Sequence, residues 1–259
     1  MSALGTVGAA TRSRSAYILQ LMALLWGVVR EGTWPSTWRR TVRASFRTTL
    51  TSVIGGSLGT IAVTAIIVGL GLVFEAIYWL RTAGQEEQIG RILVIVLVRE
   101  ITPLLVGIIL LGRGGTATVA ELGALKAEGE VEILRAEGID IFQYLLLPRA
   151  AAFAVAGFTL GVVFLLISLL SGFVTGSFAG VVNTSIFGFL DTMLRAMSIG
   201  DFAVFPAKLL LIGLIVALSC CVTGLAASET DTPASLLPRG FTRGVTGILT
   251  VTLLLSALL

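Results

Sequence analysis

The stretch Ile92–Arg149, ILVIVLVREITPLLVGIILLGRGGTATVAELGALKAEGEVEILRAEGIDIFQYLLLPR, decides what kind of molecule this is. Its first part, Ile92 to Leu111, is an apolar run of about the 20 residues that a helix needs to cross the hydrocarbon core. Arg99 and Glu100 stand near the middle of that run. At Gly112-Arg113-Gly114-Gly115 the chain leaves the apolar run and becomes charged and helix-prone. It re-enters an apolar run at Pro148-Arg149. One stretch therefore offers a charge pair within a membrane and a polar platform outside it.

The composition around that stretch agrees. Of 259 residues, 56% are hydrophobic and 13% charged, and the mean hydropathy is +0.98. Soluble domains carry about 25% charged residues, so polar side chains are too few here to cover a water-facing surface. The long apolar runs do not alternate in polarity as barrel strands do. The expectation is an all-α integral membrane protein. The net charge of +3 calls for no nucleic acid; the placement of Lys and Arg matters more. With no histidine in the chain, His metal sites, His bases and His-containing triads are excluded. Cys220 and Cys221 are adjacent in an apolar run and read as small core residues.

Outward from the central stretch, the pattern predicts five spans. Residues 15–31 form a short helix flanked by Trp26, Trp34, Trp38 and arginines, which fits the membrane interface better than a cleaved signal. Arg39, Arg40, Arg43 and Arg47 place this N-terminal segment in the cytoplasm. The first span, about Thr48 to Leu80, is long enough to be tilted or broken. Its Gly55-x-x-x-Gly59 allows another helix close approach. The second is Ile92 to Leu111 and the third ends near Gly176. A mixed loop follows, with Asn183, Asp191 and Arg195; the fourth covers about Phe202 to Leu225. A loop containing Glu229, Asp231, Arg239 and Arg243 leads to the fifth, Gly244 to Leu259. The organisation is a single domain over 1–259, with an interfacial segment 1–47 and a bundle 48–259 carrying the platform at 113–147.

Charge inside a span costs at least ~2.5 kcal/mol per residue and asks for a partner or a role. Arg99 and Glu100 project about 100° apart on a helix, so they do not face each other. They read as contacts to a polar headgroup or cavity, with an inter-helix salt bridge as the alternative. Pro103, one turn on, frees a backbone carbonyl and suits a helix bordering a cavity. Lys208 lies in the fourth span after Pro206. It either snorkels to the interface or joins the polar pathway. The platform holds Glu121, Lys126, Glu128, Glu130, Glu132, Arg135 and Glu137 among regularly spaced apolar residues, with Gly123, Gly129 and Gly138. It reads as a compact helix-turn-helix that docks a cytoplasmic partner. The chain has no G-x-x-x-x-G-K-[ST] loop and its lysines are Lys126 and Lys208, so any nucleotide it depends on is bound by another chain.

Arg99-Glu100-x-x-Pro103, Gly112-Arg113, Ala120-Glu121-Leu122-Gly123, Gly138-x-Asp140 and Pro148-Arg149 together resemble the signature of the MlaE/YrbE permeases. These are membrane subunits of ABC transporters that move lipids together with MCE-domain proteins. The resemblance implies a non-catalytic permease working as a homodimer in the bacterial inner membrane, N-terminus cytoplasmic. It implies an interfacial helix and five spans, a cytoplasmic ABC ATPase that holds ATP and Mg, and an MCE-domain protein on the periplasmic face. The cargo implied is phospholipid. Arg99, Glu100 and Lys208 match positions near the lipid cavity. The segment carrying Glu121, Lys126, Glu128, Glu130, Glu132, Arg135 and Asp140 matches the coupling helix that meets the ATPase. The sequence departs from the pattern at Thr102, where the family has Gly. It departs again at Glu128-Gly129-Glu130, where the family has Thr-Glu-Gln, and at Asp140-Ile141, where it has Asp-Pro. A proton- or ion-coupled transporter using Glu100 is the alternative function, and a membrane scaffold the third.

Overall fold

The computed structural model describes residues 3–85, 88–180, 182, 185–228, 231 and 233–257, with side chains from residue 16 onward except at 233 and 234. Asn183 and Glu229 lie outside the described residues, as do the last two residues of the expected fifth span. All regular structure among the described residues is helical. In chain order the helices are α1 (Ala3–Gly32), α2 (Arg40–Thr82), α3 (Ile89–Ala127), α4 (Glu130–Ala136), α5 (Phe142–Phe178), α6 (Ile186–Ala196), α7 (Ile199–Leu225) and α8 (Pro233–Ser256).

Four of these, α2, α3, α5 and α7, are long and apolar enough to cross a membrane. The expected fifth span corresponds to α8, a helix of 24 residues that packs along α7 and α3. It is not among those four. The expected interfacial helix corresponds to α1, which starts further upstream than residue 15 and runs for 30 residues. Leu21, Leu24, Leu25 and Val28 of α1 pack into the main core. Ile18, Leu19, Met22, Trp26 and Val29 face outward.

Helices α5 and α7 form the centre, flanked by α2 on one side and by α8 and the second half of α3 on the other. Their crossings are set by glycines rather than by large side chains. A Cβ at Gly213 would lie 2.3 Å from the Phe153 carbonyl oxygen on α5. One at Gly69 on α2 would lie 2.3 Å from the Ser168 oxygen, and one at Gly172 would meet Val73 at 2.3 Å. At Gly213 and Gly69 the helix meets its neighbour's backbone closely, and at Gly172 the missing side chain makes room for Val73. The Gly55/Gly59 pair does not do this within the chain. Both, like Gly56, Gly71 and Gly112, have no neighbour within 4 Å of a hypothetical Cβ.

The long first span is continuous, with a π-helical turn at Gly69–Val73 instead of a break. The helix likewise does not end at the Gly-Arg-Gly-Gly step. Helix α3 continues through it as a π turn, Leu111–Gly115, to Ala127. Gly114 and Gly115 are buried against Phe153 and Cys220; here glycine serves packing, not turning. The turn comes later, at Gly129 with φ 77°, where α4 begins, and again at Gly138 with φ 77°. Thus two faces emerge. A platform end carries α4, the starts of α2, α5 and α8 and the ends of α3 and α7. A hairpin end carries the α2–α3 connection and α6, where Phe189 and Met193 pack on Ile77, Leu93 and Leu97.

Candidate functional site

The central charges sit in a π-helical segment of α3, Val94–Ile101. The Thr102 N–H there bonds the Leu97 carbonyl, one residue further back than in an α-helix. Such wide turns expose backbone and rotate side chains relative to a regular helix. Pro103 lacks the N–H that would reach the Arg99 carbonyl. That carbonyl accepts instead from Lys208 Nζ of α7, at 2.5 Å. The structure thus ties proline, π turn and buried lysine into one feature.

Arg99 and Glu100 diverge, as adjacent helical residues must, and each finds a partner elsewhere. The Arg99 fork faces Asp201 in the first turn of α7, with Nη2–Oδ2 at 2.9 Å as a directed hydrogen bond and Nε–Oδ1 at 2.7 Å as a close but poorly aligned ion contact. Asp201 Oδ2 also accepts from the N–H of Ser198 at 2.8 Å and from its hydroxyl at 2.9 Å. This is the capping box that starts α7. Lys208 Nζ lies 3.7 Å from Glu100 Oε1 and donates to Ser256 Oγ of α8 at 2.7 Å. The Ser256 hydroxyl donates to Glu100 in turn. Arg99, Glu100, Asp201 and Lys208 therefore form a formally neutral tetrad joining α3, α7 and α8.

The four charges are unequally covered. The side chains of Asp201 and Lys208 are 1% exposed and that of Arg99 23%, while Glu100 is 46% exposed. Lys208 points into the bundle, so the snorkelling alternative is wrong: its ammonium has three polar partners inside and needs no interface. The open side of the tetrad is Glu100. The arrangement can hold a polar group at the edge of an apolar wall without leaving a bare buried charge. Sequence reading missed Asp201, which lies just ahead of the expected fourth span, and Ser256. The S-x-x-D pattern at Ser198–Asp201 signals the cap; nothing signals Ser256.

At the platform end, Arg149 is buried at the base of α5. It reaches Glu121 of α3 with Nη2–Oε1 at 2.5 Å and the Leu145 carbonyl at 3.1 Å. Lys126 pairs with Glu132 across the Gly129 turn, and this hydrogen bond holds the Glu132 carboxyl below the usual carboxylate range. Asp140 Oδ1 accepts from the Phe142 N–H at 2.9 Å, so its role in the fold is to start α5. Glu128, Glu130 and Arg135 lie exposed on the outer surface beside Ile133, which is 57% exposed. Beneath them Leu125, Leu134, Ile141 and Phe142 pack on Leu122, Leu145, Leu146 and Cys221. Of the residues expected to couple, Glu121 is the one tied directly to the bundle, through Arg149.

Residues 46–259 match the family model described as permease MlaE. The chain is 27% identical over 191 residues to the chloroplastic protein Trigalactosyldiacylglycerol 1 of Arabidopsis thaliana, covering 74% of this chain and 53% of that protein. It is 28% identical over 176 residues to a probable ABC transporter permease protein of Synechocystis sp., covering 65% of each. It is 25% identical over 168 residues to a probable ABC transporter permease protein of Rickettsia typhi, covering 65% of this chain and 64% of that one. The chain thus spans between about half and two thirds of the length of these relatives.

Proposed function

The chain belongs to the MlaE permease family, and from that premise we propose that it is the membrane subunit of an ATP-driven lipid transporter. It is a multi-pass membrane protein by its four apolar helices and its family. The observation that carries the reading is the tetrad: a neutral charge cluster set in π-helical backbone, open through Glu100 beside apolar wall. An amphiphile needs such a surface, polar at one point and apolar around it. The relatives named as ABC transporter permeases support a separate ATPase that holds ATP and Mg. The absence of a phosphate-binding loop in this sequence agrees. The Arabidopsis relative bears the name of a galactolipid, which favours lipid cargo; phospholipid is the reading for this chain.

In this proposal the platform meets the ATPase through Lys126, Glu128, Glu130, Glu132 and Arg135. Glu121–Arg149 carries the platform's motion into α5, and Arg99, Glu100 and Lys208 contact the headgroup. The platform end is cytoplasmic. Among the basic residues, Arg81, Arg91 and Arg195 belong to the hairpin end and Arg99 and Lys208 to the interior; the others gather at the platform end. In this reading the N-terminus lies on the cytoplasmic side of a bacterial inner membrane, and an MCE-domain protein docks against the hairpin face. Helix α1 lies in the interface with its outward apolar row in lipid, and α8 is the fifth span. The unoccupied glycines Gly55, Gly56 and Gly59 of α2 leave room for a second copy of the chain.

The test is reconstitution with its partner ABC ATPase. Lipid-dependent ATP hydrolysis is expected, lost in Glu121→Arg and recovered at least in part in the swap Glu121→Arg/Arg149→Glu. Proton-driven lipid movement in liposomes with no ATPase present would replace this reading with the Glu100-coupled one.

A further inference from the structure

On the hairpin face, α3, α6 and the start of α7 line a half-open cavity of about 610 Å³. Arg91, Arg99 and Arg195 line it, with Val94, Ile95 and Ser198. The positive-inside rule makes arginine unfavoured on the translocated side. Yet of the three arginines at that end, two converge on this one cavity. Arg99 already faces Asp201, and Arg195 pairs with Asp191 on the outside of α6. Arg91 has no carboxylate partner among the described residues. The lining therefore carries one more positive charge than its paired acids neutralise. The backbones that frame it are held close: a Cβ at Gly90 would lie 2.9 Å from the Thr192 carbonyl oxygen of α6. The arginines are thus mounted on a fixed frame.

We propose that this cavity binds the phosphate of an anionic lipid headgroup, at a station adjoining the tetrad, with Arg99 common to both. Guanidinium forks suit phosphate oxygens. The chemistry alone would serve a free phosphate as well. The apolar surroundings favour the lipid. Ile95 lies in the lining and is 41% exposed, and next to Ser198 stands Ile199, 93% exposed, with Phe202 at 55%. Acyl chains leaving the cavity would run along these side chains. An acidic protein loop would gain nothing from them. The inference rests on the reading of the chain as a lipid permease. It adds a receiving or releasing point on the far side of the membrane from the platform.

The experiment uses the full chain with the subunits that accompany it, incubated in 1:1 phosphatidylglycerol/phosphatidylcholine vesicles. Retained lipids are counted by mass spectrometry after extraction into detergent. Enrichment of phosphatidylglycerol is expected to fall about fivefold for Arg91→Gln and again for Arg195→Gln. It should be kept by Arg81→Gln, which changes the same face outside the cavity, and fall less for Arg91→Lys, which keeps the charge without the fork, than for Arg91→Gln. All variants are compared at an unchanged melting temperature. Enrichment that survives the double Gln variant, or falls equally in Arg81→Gln, overturns the proposal. A second arm measures orthophosphate binding without vesicles. If millimolar orthophosphate binds the parent and not the double variant while lipid enrichment is unaffected, the anion is free phosphate. ATP hydrolysis is followed on the same samples. Its absence in the parent would count against the transporter reading while leaving the enrichment to judge the cavity.

Discussion

Replacing Asp201 by Asn tests whether the tetrad is held together by charge. The amide keeps the carboxylate's shape, and its oxygen can still accept from the Ser198 N–H, so the cap of α7 survives. What is lost is the negative charge facing Arg99 at 2.7 and 2.9 Å. Unit charges about 4 Å apart attract by about 4 kcal/mol at an effective dielectric of 20. Removing one partner of a buried pair costs about 3–5 kcal/mol. Arg99 is 23% exposed, so water recovers part of this and about 3 kcal/mol is expected. In a chain of this size that corresponds to a melting temperature lowered by about 6–12 °C, read by thermal unfolding in detergent. The double variant Arg99→Gln/Asp201→Asn removes both charges and should be more stable than the single losses would sum to, by about 1.5 kcal/mol or more. A single variant that melts within about 2 °C of the parent, or a double variant whose loss is the sum of its parts, would refute the argument.

Four further outcomes are expected. Lys208→Met keeps the stem but leaves the Arg99 carbonyl without the donor that replaces the Pro103 N–H. It should cost about 2–3 kcal/mol, with hydrogen exchange around residues 99–103 rising first; unchanged exchange there would separate the lysine from the π turn. Gly69→Leu must force α2 away from the Ser168 oxygen 2.3 Å from its Cβ and should cost more than about 3 kcal/mol. Gly59→Leu, which meets nothing within the chain, should leave the monomer's melting alone and weaken self-association, measured by sedimentation in detergent. Lys126 holds the Glu132 carboxyl below the usual range. The pair's contribution is therefore full above the ordinary glutamate pKa and lost as pH falls through the lowered one. Hydrogen exchange across 126–136 should stay slow at pH 5 and rise only at more acid pH. In Glu132→Gln this acid-dependent change should vanish.

Much of the membrane architecture was readable from the chain because bilayer thickness imposes a length and an apolarity that composition reports directly. The runs around Thr48–Leu80, Ile92–Leu111, Pro148–Gly176 and Phe202–Leu225 all became long helices. The divergence of Arg99 and Glu100 was also legible, because it follows from helix geometry alone. Glycine was where local reading said least. Gly112–Gly115 marked the end of the apolar run, and Gly55–Gly59 allowed another helix close approach. The structure has an unbroken helix at the first and open space at the second. A glycine can serve a turn or a crossing. Which one depends on the neighbouring helix, and no local pattern contains that neighbour.

By itself the sequence determined that this is a helical membrane protein with charges that had to be answered inside it, a charged platform between two spans, and no nucleotide loop of its own. Tertiary structure alone decided how those charges are answered. Asp201 lies 102 residues from Arg99 and Ser256 lies 156 from Glu100. They meet where α3, α7 and α8 approach one another: a Cβ at Gly107 of α3 would lie 2.8 Å from Ile212 of α7 and 3.1 Å from Ile248 of α8. Charge has to be neutralised wherever water is absent, and that requirement can be read from residue types. The identity of the neutralising group is set by which helices pack together, and that is fixed by side-chain volume across crossings far apart in the chain.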